Sequence, residues 1–209
     1  MSAEPTTPTR ERTRRAILDA AGPVLAADPA APLPAVASAS GVGRTTVHRY
    51  FPERADLVRA LARHVFQETD ARVARARPDV GPPLDALRRV ADALFDLGPV
   101  LTYLYGEPAV LADEECRALL ESDHDPVREL LERTAPLLRP GLSTAWVRRV
   151  FWSLLYTGWE TAREDGTPRH EVVDAMMTTF ATGVVADPGL NPGPRAGRTR
   201  SAPATSTRG

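Results

Sequence analysis

The chain has 209 residues, of which 43% are hydrophobic and 25% charged, and its formal net charge is −1. That composition excludes a chain disordered throughout, and the single cysteine, Cys116, excludes an internal disulfide framework and a cysteine-built zinc cage. No apolar run approaches the ~18 residues that a membrane helix needs, and the start of the chain has no apolar signal core, so the reading is a cytoplasmic protein. The near-neutral total conceals a gradient. Residues 1–65 sum to +3, residues 66–185 to −7 and residues 186–209 to +3. A basic head on an acidic body suits a head that meets a polyanion.

In chain order, residues 1–9 and 187–209 read as disordered tails, because their Pro, Gly, Thr and Ala cannot bury enough surface to offset ordering entropy. Between them the apolar spacing is helical throughout. The expected fold class is all-α, with about nine helices and no sheet. Ile17, Ala20, Ala21, Val24 and Leu25 mark the first helix. Pro23 lies inside it, and an interior proline costs about 3 kcal/mol, so a kink or split is expected near residues 19–23. Pro32 and Pro34 open a second, short helix over 35–39, since proline is tolerated where the N–H has no partner anyway. Gly41 can take the left-handed conformation of a tight turn, and Val42 is the apolar plug within that turn. A third helix over 44–51 buries Val47 and Phe51.

What remains on that third helix is Arg44, Thr45, Thr46, His48, Arg49 and Tyr50. Arginine can fork onto guanine O6 and N7, and threonine can bond a base edge or offer its methyl to thymine. His48 and Tyr50 can donate to phosphates. Pro52 stops the helix, and Arg54 lies at the start of the next, where a cation beside free backbone N–H groups suits a phosphate. A solvated helical hairpin would also explain the short periodicity. The Gly turn, Val plug, Thr-Thr pair and aromatic-Phe-Pro-x-Arg run together favour DNA.

The segment VASASGVGRTTVHRYFPERADLVRAL resembles the helix-turn-helix of the TetR family of transcriptional repressors. The resemblance is carried by Val36-Ala37, Ser40-Gly41-Val42, Thr45-Thr46, Phe51, Arg54 and Leu57, is strong over 36–61 and fades beyond about residue 65. His48 and Tyr50 stand where the family usually has Tyr and His. The Thr that commonly caps the second helix is replaced by the Pro32–Pro34 stretch. The resemblance implies a DNA-binding domain over 10–54 and a helical domain over 55–186 that binds a small ligand and dimerises. It also implies a repressor that leaves a palindromic operator when ligand binds.

Such heads work as two-fold dimers on half-sites about one helical turn apart. The last two helices, over 143–164 and 170–185, are the expected dimer surface, because the first is apolar on more than one face. Trp146, Phe151, Leu155, Trp159, Met176, Met177 and Phe180 are the candidates. For an apolar or aromatic effector the candidates are Leu94, Phe95, Tyr103, Leu104, Tyr105, Trp152 and Tyr156. The Gly- and Pro-containing segment over 97–108 is expected to be irregular rather than a plain helix. No cofactor, metal site or catalytic group is expected. Cys116 and His124-Asp125 lack an orienting partner, and no metal, phosphate-loop or nucleophile motif is present. The alternative is a helical sensor or interaction protein that does not bind DNA specifically.

Overall fold

The computed structural model describes residues 8–120 and 126–186; residues 1–7 of the tail expected over 1–9, the tail expected over 187–209, and the His124-Asp125 pair lie outside the described residues. The described chain is helical. In order come α1 (Pro8–Ala27), α2 (Leu33–Ser40), α3 (Arg44–Tyr50), α4 (Arg54–Arg75), α5 (Pro83–Leu94), a 3-10 turn (Phe95–Leu97), α6 (Gly98–Gly106), α7 (Pro108–Leu111), α8 (Glu114–Leu120) and α9 (Pro126–Thr134). A second 3-10 turn (Ala135–Leu137) leads to α10 (Thr144–Asp165) and α11 (Arg169–Val184). Strand-like pairing among the described residues is a single antiparallel bridge between Leu138 and Val185. No helix of the described residues is long and apolar enough to cross a membrane.

Three helices form the head. α1 packs on α2 and α2 on α3, around Ile17, Leu18, Ala21, Leu25, Val36, Val47 and Phe51, all buried. α4 leaves the head and runs into the body against α5, α7 and α8. Its start is fixed by a capping box: the Glu53 side chain accepts from the N–H of Asp56, and the Glu53 N–H donates to Asp56 Oδ2 at 3.1 Å. In the body α5, α9, α10 and α11 pack pairwise around Leu87, Leu94, Leu130, Phe151, Leu155 and Phe180.

Three expectations are revised. α1 runs through Pro23 as one helix, so of the kink or split expected there the split is absent. Ile17, Leu18, Ala21 and Leu25 are all buried, so packing on both sides of the proline holds the turn that its missing N–H weakens. α1 also begins at Pro8, inside the expected tail. The segment expected to be irregular is mostly α6: Pro99 falls in the first turn, where it is tolerated, and Val100, Leu101 and Leu104 give the helix a buried face. Gly98 is required there by a close approach. A Cβ on it would lie 2.1 Å from the indole of Trp159.

Candidate nucleic-acid interface and effector region

The turn between α2 and α3 is built as its residues dictate. Gly41 has φ 67°, and a Cβ there would meet nothing, so backbone conformation rather than space requires glycine. The Val42 N–H donates to the carbonyl of Ala37 at 3.2 Å, closing the end of α2. Val42 itself is half-buried against the head's core. Val47 and Phe51 then anchor α3. Arg44, Thr45, His48 and Arg49 are exposed, and Thr46 and Tyr50 are half-buried.

The start of α1 lies beside α3, which the α3 segment alone did not reveal. Tyr50 donates its hydroxyl to the carbonyl of Arg10 at 3.2 Å. The guanidinium carbons of Arg10 and Arg49 lie 6.0 and 5.8 Å from the centre of the Tyr50 ring, within cation–π range. Thr9, Arg10, Thr13, Thr46, Arg49 and Tyr50 line one open groove of about 460 Å³. Arg10, Thr9 and Thr13 are therefore additions to the site. The only hint of them was the basic run at Arg10, Arg12, Arg14 and Arg15. The Tyr50 hydroxyl, expected to donate to a phosphate, is already committed to bracing α3 against α1. Among the described residues Arg10, Arg44 and Arg49 have no carboxylate partner.

Arg54 has a different setting. Its guanidinium donates to the carbonyl of Pro29, in the turn between α1 and α2. It also donates to the hydroxyl of Tyr103 at 3.1 Å and lies 3.6 Å from Glu107 Oε2. Tyr103 in turn donates to Glu107 at 2.7 Å. Burial, reinforced by its bond to Glu107, pushes the Tyr103 phenol up to about 12. So the arginine expected at a phosphate is held at the junction of head and body.

The seven residues expected around an effector are not brought into one cavity. Leu94 and Leu104 are wholly buried, and Tyr103 is engaged as above. Phe95 is half-buried beneath Arg169, whose guanidinium carbon is 5.8 Å from its ring centre, and Trp152 is half-buried at the edge of Phe151. Tyr105 and Tyr156 are exposed. A cleft of about 650 Å³ instead opens between α1, α4, the start of α6 and the end of α10. Its apolar walls include Leu18, Gly22, Leu61, Val65 and Val100, and its rim carries Asp19, His64, Glu68 and Arg72. None of the seven lines it.

Six of the seven expected dimer residues are corrected. Phe151, Leu155, Trp159, Met176, Met177 and Phe180 are buried within their own chain. The cause is that α10 and α11 pack on each other and on α9 and α5, and Phe151 meets Phe180 edge-on at 6.0 Å. Only Trp146 of the seven faces outward, at 55% exposure. The outer faces carry Trp146, Tyr156 and Thr157 on α10, and Ala175, Thr178, Thr179, Thr182 and Gly183 on α11.

Cys116 is buried, with its thiol directed at the carbonyl of Arg59 (3.8 Å). Burial pushes that thiol up to about 11, the opposite of what a thiolate nucleophile needs. Among the described residues no three His, Cys, Asp or Glu side chains group as metal ligands.

No family model matches the chain. The HTH-type transcriptional repressor LfrR of Mycolicibacterium smegmatis is 51% identical over 179 residues, which are 86% of this chain and 94% of that protein. The solved structure of the TetR-like transcriptional regulator LfrR from Mycobacterium smegmatis in complex with proflavine matches at 49% identity with a TM-score of 0.73. It covers 85% of this chain and 99% of its own. A second structure of that regulator matches at 46% identity with a TM-score of 0.59, over 82% and 99% of the two chains. The ketosteroid transcriptional regulator KstR2 of Mycobacterium tuberculosis, 18% identical with a TM-score of 0.64 over 83% and 95%, shares the fold.

Proposed function

Because the chain belongs to the TetR family of transcriptional regulators, we propose that it is a homodimeric repressor that binds a palindromic operator through α3 and is released by a small aromatic or apolar molecule. The supporting observation is electrostatic. The outer face of a helix-turn-helix carries Arg44 and Arg49, with Arg10 alongside, and among the described residues none has a carboxylate partner. Cations left unpaired on one face are what a phosphate backbone recruits. Residues 10–54 are the DNA-binding part and 55–186 the ligand and dimer part. Arg44, Thr45, Thr46 and Arg49 read bases; His48 and Arg10 hold phosphates.

The dimer forms through the outward faces of α10 and α11. Small residues at Ala175, Thr179 and Gly183 allow a close approach of the two copies, with Trp146 and Tyr156 flanking. The effector enters the helical body from the cytoplasm; the cleft beside α4 has the volume of a drug-sized site. A ligand releases DNA only by its differential affinity for the two states, so it must favour a head arrangement unsuited to the operator.

The test is fluorescence anisotropy on the DNA just upstream of the chain's own gene, against scrambled DNA, at near-physiological salt. The expected result is selective binding with two protomers per palindrome, reversed by proflavine. Weak binding that is equal on both DNAs and vanishes with salt overturns the reading.

A further inference from the structure

We propose that Tyr103 and Glu107 are positioning residues for the recognition helix: through Arg54 they staple the head to the body, and Arg54 serves this joint rather than a DNA phosphate. This rests on the DNA-binding reading above.

The joint is defined by its partners. Arg54 is the first residue of α4, three residues beyond Phe51, the buried anchor at the end of α3. Its guanidinium reaches two other segments at once. Pro29 belongs to the α1–α2 turn, and Tyr103 and Glu107 belong to α6 and its C-terminal cap. One NH2 group carries the bonds to Pro29 and Tyr103, so both of its protons are used. The Glu107 carboxylate beside the guanidinium neutralises the charge that a phosphate would meet and repels the phosphate itself. The Glu107 side chain is only 14% exposed. A carboxylate so far removed from water is stable because Tyr103 and Arg54 both serve it. Arg10, Arg44 and Arg49, by contrast, have no such partner among the described residues. α6 also packs directly on α1, where Val100 lies against Gly22; the arginine adds a directed polar tie from α6 to the start of α4 and the α1–α2 turn, and planar fork geometry makes arginine, not lysine, the residue for it.

The variants are Arg54→Ala, Arg54→Lys, Tyr103→Phe and Glu107→Gln in the full-length protein. Each is titrated onto the upstream DNA over a salt series. The expected result is a similar loss in all four, about three- to tenfold, with the slope of log affinity against log salt unchanged. Combining Tyr103→Phe with Arg54→Ala adds little to either alone. If Arg54 holds a phosphate instead, Arg54→Ala lowers the slope by about one, Arg54→Lys is near wild type, and Tyr103→Phe is silent. That pattern overturns the proposal. A second readout needs no DNA. Amide exchange over residues 42–51 rises in Tyr103→Phe and Glu107→Gln while α10 and α11 stay protected; unchanged exchange in both variants overturns the staple. Wild-type protein that ignores the upstream DNA defeats the operator reading alone, and the exchange data then decide this one.

Discussion

In the head, Arg10, Arg44 and Arg49 face outward with no carboxylate partner among the described residues. In the body most arginines are tied to carboxylates or carbonyls of the fold. Arg59 pairs with Asp56 and Asp113, Arg63 with Glu115, Arg72 with Glu68, Arg88 with Asp174 and Arg169 with Asp92 and Asp96. Others bind carbonyls: Arg89 holds those of Ala76, Arg77 and Val80, Arg133 those of Pro78 and Gly81, and Arg139 those of Thr182 and Val185. The chain has no lysine, so residue type does not separate the two regions; what sets the face of α3 and Arg10 apart is that its arginines lack the carboxylate partners that most body arginines have, and that Arg15 of α1 finds in Asp19. Exposed ion pairs contribute only ~0–1 kcal/mol each, so the body's arginines matter chiefly as ties between helices. Arg10, Arg44 and Arg49 make no such ion pair in the head, Arg10 and Arg49 only stacking on Tyr50. They leave a positive field for a polyanion.

The sharpest way to separate the halves is to damage one and watch the other. Gly98→Ala places a Cβ 2.1–2.4 Å from three indole atoms of Trp159. Neither the ring nor the helix can yield cheaply, so a loss of ~3 kcal/mol is expected, read as a lower Tm. The folded fraction should keep the wild-type salt slope on operator DNA. An unchanged Tm would show that Trp159 swings away freely. Next in size is the converse. Arg44→Ala and Arg49→Ala should each weaken operator binding by ~1–3 kcal/mol; neither has a carboxylate partner, so Arg44→Ala should leave Tm where it was and Arg49→Ala should lower stability by no more than the ~0.5–1 kcal/mol of its stacking on Tyr50. A Tm loss with intact DNA binding would break the comparison. Smaller again is Arg88→Ala. It removes a surface pair with Asp174, and should shift stability by no more than ~1 kcal/mol with no change on DNA.

The head was legible in the sequence because its constraints are local. Gly41 is required by a positive φ, Val47 and Phe51 share a face four residues apart, and Pro52 ends the helix; each acts within a few residues. What depended on chain folding was not legible. The approach of α1 to α3, which adds Arg10, is a contact across forty residues. The Arg54 joint spans forty-nine to Tyr103. Nothing in either short segment marks these partners. The aromatic stripe of α10 was misread for a physical reason as well. Apolar periodicity says that a face is covered, not whether its own chain or a second copy covers it. Phe151, Leu155 and Trp159 are covered by their own chain, and the outward face is the less conspicuous one of Thr, Ala and Gly. The irregular look of 97–108 came from counting Gly and Pro without their positions; Pro99 in a first turn breaks nothing.

The smallest expected effect lies on the boundary between the two regions. The Tyr103 phenol is pushed up to about 12 by burial and by its bond to Glu107, against the lowering influence of Arg54. A tyrosine ordinarily titrates near 10. Its folded pKa is thus above its unfolded one, and the native state holds the proton through that interval. The stability this contributes is fully present below pH 10 and is lost as pH rises towards 12. Cys116, pushed up to about 11 by burial, falls in an overlapping window, so wild-type data alone would mix the two. The difference between wild type and Tyr103→Phe removes the shared cysteine contribution. Urea midpoints at pH 9 and pH 11.5 should fall less in Tyr103→Phe than in wild type. Ionised Tyr103 would sit against Glu107 as a second anion, with one guanidinium to share. Equal falls in the two proteins would mean that the phenol is solvated when it ionises, and that the joint between head and body is open to water at high pH.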